Sequence, residues 1–388
     1  MALRVLMVTG AYWPELSGGG LQCRTMIAAL KDRFTFRVFT TCTDARLPRD
    51  AEVDGIPVHR VYIDLARRWT KLAAAIRTIT FFRRHHAAFD VVHLHGFSQK
   101  SVLIVLLARM FKKKVVLTIH TAGHDEVHAA RKRGWLAYWA YRQADLYIAI
   151  SSRIAGNYLA AGMPKTKLRL ASNGVDVSRF HAASRLERDG AREALGGLSR
   201  DLYWILFVGF FSREKAPDLL FDACLSIQGS APPSGLLFVG ATESEYHEID
   251  KRLAADIADR ARAIGVSDRV RFTGPVTNIE QAYHAADMFV MPSTREAFGM
   301  VLVEAMASAL PVIATEIKGV TDEIVAHGHT GILVPPGDPG ALADAIRRLL
   351  VNGAAAASMG THARESVITS YGLEAARQRW TEVYEGLS

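Results

Sequence analysis

Residues 293–315 read STREAFGMVLVEAMASALPVIAT, and the reading of this stretch decides the fold. Glu304 stands inside an otherwise apolar run, eight residues after Glu296. A carboxylate buried without a partner is costly, so one placed there must be neutralised, paired or ready for a ligand. The preceding MFVMPS has the composition of a buried strand, which makes 293–297 the loop after it and starts a helix near Phe298 or Gly299. The first N–H groups of that helix lack internal partners and sit at the positive end of its dipole, a ready site for a phosphate. Gly299 lets the phosphate come close. Glu296 would stand in the loop and Glu304 about one turn into the helix, where both can accept hydrogen bonds from hydroxyls on either side of a diphosphate.

The same alternation recurs along the chain. RVLMVT, FRVFTT, DVVHLHG, KVVLTIH and LYIAIS in the first half read as short buried strands followed by helical patterns, such as the one beginning at Leu21. WILFVG, GLLFVG, VRFTG, MFVMPS and PVIAT repeat the scheme in the second. Near-continuous apolar strands alternating with helices indicate parallel sheets covered on both faces. At 388 residues the chain exceeds one ordinary core, so the expected fold class is α/β, with two doubly wound, Rossmann-like domains. The polar, glycine-containing stretch 181–201 sets the expected boundary, giving an N-terminal domain 1–185 and a C-terminal domain 186–370. Residues 371–388 carry Leu373, Trp380, Val383 and Tyr384 at helical spacing. This helix needs a surface to cover; either domain offers one, and folding back on the first is the arrangement entertained.

Composition narrows the class further. Half the chain is apolar and about a fifth charged, with three scattered cysteines and no CxxC pair, which argues against a disulfide framework or a cysteine zinc site. MALRVLMVTG passes straight into Pro14 and a glycine cluster without a signal-like cleavage region. SVLIVLLARMF is about half the roughly 20 residues that a spanning helix needs. A cytoplasmic protein is expected. Its charge is uneven: residues 1–180 hold 28 Lys and Arg against 12 Asp and Glu, whereas the remainder is net acidic at −8. The first half therefore suits an anionic partner.

The sequence also carries a resemblance. E-x7-E (Glu296 to Glu304) with FGM after the first glutamate, followed by EAMASALPVIAT, resembles the donor signature of family 4 retaining glycosyltransferases of GT-B fold. SGGG (17–20), the TIH strand end at His120, SNGVDVSRF (172–180), VGFFSREKAPD (208–218) and HTGILVPPGD (329–338) extend it over nearly the whole chain. The resemblance implies a nucleotide-diphosphate sugar held mainly by the second domain and an acceptor held mainly by the first. Glu296 would hold sugar hydroxyls and Glu304 the ribose, with the backbone of Phe298, Gly299, Met300 and Val301 against sugar and phosphate. Lys215 matches the family lysine beside the diphosphate, where an ammonium stabilises the charge developing on the leaving group. Relatives usually carry an arginine directly after the VG; here that position is Phe210, and Arg213 is the candidate replacement. Gly18 and Gly19 would let the backbone approach the diphosphate or acceptor, and His120 would contact the donor sugar. Asn173 would close the first domain at the cleft. Catalytic roles thus fall to His120, Lys215, Arg213 and Glu296.

No D-x-D pair is present, so Lys215, Arg213 and a helix N-terminus are expected to carry the diphosphate charge with no metal and no cofactor. The spacing of His120, His124 and His128 does not suit a zinc site, because a strand end followed by AGHDE cannot hold all three on one helical face. His93 and His95 read as cleft lining or structure. The segments 65–86, 109–114 and 128–143 mix clustered Lys and Arg with aromatic and aliphatic residues, the composition of a surface resting on anionic lipid. No nucleic-acid-reading motif accompanies the charge. The expected activity is transfer of a hexose from a UDP- or GDP-linked donor to a glycan or lipid-linked acceptor, with retention, at the inner face of a membrane. Two alternatives stay open: a non-catalytic nucleotide-sugar-binding partner of a glycan-assembly complex, and a nucleotide-sugar epimerase on the same fold.

Overall fold

The computed structural model describes residues 3–15, 17–64, 66–242 and 249–387. The chain divides into two compact units, Met1–Gly174 with Leu373–Ser388, and Val175–Gly372.

The first unit is built on strands β1 (Arg4–Thr9), β2 (Thr35–Cys42), β3 (Asp50–Val53), β4 (Ile56–Tyr62), β5 (Val91–His95), β6 (Lys114–Ile119), β7 (Leu146–Ala149) and β8 (Leu168–Leu170), in the sheet order β3-β4-β2-β1-β5-β6-β7-β8. Only β3 runs antiparallel. It is joined to β4 by Asp54-Gly55, both at positive φ, the two-residue hairpin turn for which Asp-Gly is suited. Helices α1 (Gly18–Leu30), α2 (Arg68–His85), α3 (Gln99–Met110), α4 (Val127–Lys132), α5 (Trp135–Arg142) and α6 (Ser152–Ala160) complete the crossovers. The second unit uses α7 (Arg185–Ala194), β9 (Tyr203–Val208), α8 (Pro217–Ser226), β10 (Ser234–Val239), α9 (Lys251–Ala263), β11 (Val270–Phe272), α10 (Glu280–Ala285) and β12 (Met288–Met291). It continues with α11 (Met300–Ala307), β13 (Val312–Thr315), α12 (Thr321–Ile324), β14 (Ile332–Val334), α13 (Pro339–Val351) and α14 (Gly353–Tyr371). Its sheet is wholly parallel in the order β11-β10-β9-β12-β13-β14. In both sheets the strand order reverses at a central pair, β1/β5 and β9/β12, and a crevice opens beyond the carboxyl ends of such a pair.

Strand starts are fixed by a repeated device. Asp90, Asp145 and Asp287 each stand one residue before a strand, β5, β7 and β12 respectively. Each carboxylate accepts the N–H at or near the start of a neighbouring strand: Arg4 N at 3.2 Å, Val115 N at 2.8 Å and Trp204 N at 2.8 Å. Each also holds an arginine, Arg4, Arg109 and the pair Arg188 with Arg192. The last case corrects the expected domain boundary. The stretch 181–201 is no linker, because α7, started by a Ser184–Glu187 capping box, packs on α10 and sends both arginines to Asp287. The division falls instead at Gly174/Val175, and the chain leaves the second unit at Gly372, which is bridged to Val175.

The last helix, α15 (Leu373–Glu385), belongs to the first unit and packs on α1. Ala376, Trp380, Val383 and Tyr384 are buried in one cluster with Val5, Met7, Cys23 and Met26. The Tyr384 hydroxyl also meets His93 Nδ1 at 2.7 Å. No helix among the described residues is long and apolar enough to cross a membrane. Trp380→Ala is expected to cost about 3 kcal/mol by cavity formation, read as a shift in urea unfolding of the full chain. A loss below about 1 kcal/mol, the size of a surface substitution, would remove α15 from the core of the first unit.

Candidate functional site

In the second unit the loops after β9 and β12 are tied together at the strand-order reversal. Thr294 N donates to Glu214 O at 2.8 Å, and Arg295 pairs with the Glu214 carboxylate at 2.8 Å. Between them Lys215 Nζ donates to Glu296 Oε1 at 2.6 Å. Glu296 is buried, at 9% exposure, and Lys215 keeps part of its surface open. An ammonium carries three donors, so Lys215 can hold Glu296 and still present hydrogens to a second anion.

Helix α11 follows from Gly299, which caps it at φ 95°. An L side chain is strained in that conformation, so glycine is what allows the chain to turn from the Glu296 loop into the helix. The first N–H groups of α11, at Met300 and Val301, have no helical acceptor. Phe298 is buried edge-on against the Tyr371 ring, 5.7 Å between centroids.

Glu304, the fifth residue of α11, answers the opening puzzle only in part. Its Oε2 accepts from the Tyr283 hydroxyl at 2.8 Å, and that hydroxyl also lies 3.3 Å from Val301 O. Among the described residues Glu304 has no ion-pair partner; Arg179, the cation with an influence on it, is engaged with Glu280 at 2.7 Å. Burial pushes the Glu304 carboxyl up to about 7, and the Tyr283 hydrogen bond opposes that rise. The group is therefore close to even partition between carboxylate and acid at neutral pH.

Arg213 does not join this cluster. Its guanidinium is exposed and reaches Asp250 Oδ2 at 3.1 Å, with Asp218 at 3.9 Å, so two aspartates hold it as part of a surface network. The structure thus places Arg213, the candidate for the cation missing at Phe210, on these aspartates and not beside Lys215 and Glu296.

The first unit assembles a second cluster beyond β1, β5 and β6. Ser17 caps α1, its Oγ accepting Gly20 N at 3.1 Å, and Gly18 begins the helix facing open space. Gly19 faces His120: a Cβ built on it would lie 3.9 Å from His120 Cδ2. Gly20 is required by packing, because a Cβ there would stand 2.3 Å from Ala11 O. Asn173, buried, lines one small pocket with His95 and His120.

The three histidines form a stack. His93 lies 4.5 Å from His95, and His95 5.1 Å from His120, between ring centroids. His95 Nδ1 and His120 Nε2 are 2.9 Å apart, so one proton lies between them. Burial holds all three neutral: His120 down to about 4, His93 to about 3 and His95 well below its usual range. His95 Nε2 is buried without a partner. A buried N–H left unpaired is rarer than a bare acceptor, which favours the tautomer in which His95 Nδ1–H donates and His120 bears its proton on Nδ1. The His120 backbone N–H is held by Asp125, whose carboxylate also accepts from Phe97 N and Thr121 N.

Sequence reasoning missed Tyr283, Asp125 and Lys100, and gave His95 only a lining or structural place. Lys100 Nζ donates to Thr41 Oγ1 at 2.7 Å, and burial lowers its ammonium to about 8. Tyr283 could not be found locally, since it meets Glu304 across 21 residues. Asp125 left a trace as the acid of AGHDE, and Lys100 as the cation two residues after Ser98 at the head of α3.

Comparison with known proteins gives a consistent result. Residues 16–179 match the family described as Glycosyltransferase Family 4, and residues 203–352 match Glycosyl transferases group 1. The chain is 30% identical over 335 residues to D-inositol 3-phosphate glycosyltransferase 1 of Catenulispora acidiphila, covering 81% of this chain and 77% of that protein. It is 28% identical over 288 residues to the lipopolysaccharide core biosynthesis mannosyltransferase LpsB of Rhizobium meliloti, covering 73% and 76%. Among solved structures, HepE of Anabaena in complex with UDP and glucose superposes with a TM-score of 0.80 at 22% identity, over 99% of this chain and all of that one.

Glu304 generates a pH test. Its folded value lies above the unfolded one near 4.5, so its protonation favours the fold in full below that pH, and the contribution is lost as pH rises through about 7. The native chain should therefore lose melting temperature between pH 5 and pH 8, and Glu304→Gln should flatten that fall. Parallel curves for the two proteins would mean that Glu304 titrates normally.

Proposed function

The chain is a glycosyltransferase of family 4 with the GT-B fold, and on that premise we propose that it moves a hexose, with retention, from a UDP- or GDP-linked donor to a lipid-linked glycan. The observation that carries this reading is the Lys215–Glu296 pair at the head of α11, with Glu304 in the same helix. Relatives that build lipopolysaccharide and phosphorylated inositol glycosides, and a neighbour of the same fold that holds UDP and glucose, support a nucleotide-sugar donor and a glycan-building role.

Glu296 accepts hydroxyls of the transferred sugar, Lys215 and the N–H groups of Met300 and Val301 meet the diphosphate, and Glu304 accepts from the ribose. Phe298 and Gly299 shape the approach to the sugar. His120, neutral with its proton on Nδ1, donates to the sugar, His95 fixes that tautomer, and Gly18, Gly19 and Asn173 border this part of the site. No side chain is poised as a nucleophile. The bond from the anomeric carbon to the phosphate oxygen breaks, the bond to the acceptor oxygen forms on the same face, and the acceptor proton passes to the departing phosphate. The protein contributes position and electrostatics, and Lys215 stabilises the negative charge as it develops. On this reading no metal or cofactor is needed, and a lipid-linked acceptor is met at the cytoplasmic face of a membrane.

A thermal-shift screen of UDP- and GDP-sugars without added metal tests the donor assignment. One nucleotide series should raise the melting temperature of the native chain, and Glu304→Ala should abolish the shift. Lys215→Ala should lower kcat by about 100-fold, the scale of one lost transition-state donor. No shift from any donor would sink the reading, and conversion of donor without acceptor, followed by NMR of the sugar, would replace it with an epimerase.

A further inference from the structure

Helix α2 has two apolar faces, and only one of them is covered. Ala74, Thr78, Phe81 and Phe82 point inward and are buried. Trp69, Leu72, Ile76 and Ile79 fall within about 80° of one another on the opposite side. They are exposed at 81%, 54%, 56% and 37%. Arg68 borders this stripe on one side, Arg77 and Arg84 on the other, and no acidic residue occurs between Asp64 and Asp90.

The exposed stripe has neighbours. Helix α2 contacts α3, and α3 contacts α5. On α3 the exposed Met110, at 61%, precedes Lys112–Lys114. On α5, Trp135 at 80% and Trp139 at 39% share a face, with the guanidinium groups of Arg131 and Arg142 4.9 and 5.7 Å from the Tyr138 ring.

We propose that the outer face of α2, α3 and α5 is a lipid-facing surface that seats Trp69, Leu72, Ile76, Met110, Trp135 and Trp139 in the interface of an anionic bilayer. Tryptophan favours that depth because its ring is apolar and its N–H stays wet. Arginine and lysine around an apolar stripe place their heads against lipid phosphates. A second copy of the chain is a poor occupant, because it would press these cations against an equally basic face. The surface extends the reading of a lipid-linked acceptor, yet it rests on its own residues and fails separately from that reading.

The test uses the full chain and sedimentation with vesicles of phosphatidylcholine alone, or with about a third phosphatidylglycerol. The native chain should bind the anionic vesicles, with a blue shift of tryptophan emission, and release at high salt. The variant W69S/L72S/I76S should lose about tenfold or more of its partition, and R68Q/R77Q/R84Q should lose the preference for anionic vesicles. All these positions are exposed, and both variants should keep the native melting temperature and its shift by donor nucleotide. Failure of the native chain to sediment at low salt overturns the proposal. So does binding that W69S/L72S/I76S leaves unchanged, or light scattering that shows a native dimer dissolved by that variant. A nucleotide shift absent from native chain and variants alike, with vesicle binding intact, would count against the transferase reading and leave the surface standing.

Discussion

An aspartate placed one residue before a strand, accepting an N–H at or next to the start of its neighbour and an arginine together, is the interaction on which both sheets depend. Asp90, Asp145 and Asp287 each do this. A strand buried on both faces has few side-chain options inside the sheet, since a polar group there finds no partner. Its register is therefore best fixed at the ends. At the amino ends the aspartates are each engaged by a backbone N–H and an arginine. At the carboxyl ends the polar residues, Lys215, Glu296, His95 and His120, are only partly used by the protein. The partly used polar groups thus gather at one edge of each sheet, which is where the candidate site residues stand.

The two glutamates of the opening stretch show different solutions to the same desolvation problem. Glu296, at 9% exposure, is paired with the Lys215 ammonium at 2.6 Å. Glu304 has a neutral hydroxyl and no cation, and burial answers by raising its pKa to about 7. A cation beside Glu304 would make the fold more stable at alkaline pH. It would also occupy the acceptor lone pairs that the proposed ribose contact would use. The weaker partner leaves the second oxygen available, so incomplete satisfaction at Glu304 is compatible with ligand binding in a way that a salt bridge is not.

Much of this was legible in the sequence, and the exceptions have physical causes. Ten strands announced themselves as continuous apolar runs, because parallel strands covered on both faces carry little else. Strands β3, β4, β8 and β14 did not. DAEV of β3 is a half-exposed, polar edge strand whose available signal was Asp54-Gly55. Pro57, His59 and Arg60 interrupt the apolar run of β4, and β8 and β14 are only three residues long. The stretch 181–201 has the composition of a linker, yet Arg188 and Arg192 make it part of the second unit through an aspartate nearly a hundred residues away. Arg213 was placed by position alone; of the acids that hold it, Asp218 lies five residues on at the start of α8, and Asp250, just before α9, lies 37 residues away. Tyr283 and the pairing of His95 with His120 are tertiary facts: each partner lies 20 residues or more away.

The charge asymmetry of the sequence also changes meaning once the side chains are located. A count of cations in residues 1–180 cannot say whether they line the site or face outward. In the first unit the candidate site is built from three histidines that burial keeps neutral, two glycines and an asparagine, with Lys100 the nearby cation. The excess sits on the outer helices, in segments where Arg68, Arg77, Arg84 and Lys112 are exposed beside tryptophan, leucine and isoleucine. A neutral histidine cluster adds no charge of its own to this part of the first unit. A basic exterior acts over about a Debye length, near 8 Å at physiological salt. At that range it would bias how the first unit approaches an anionic surface without altering the protonation of His120, so the proposed membrane surface and the histidine cluster use separate sets of residues.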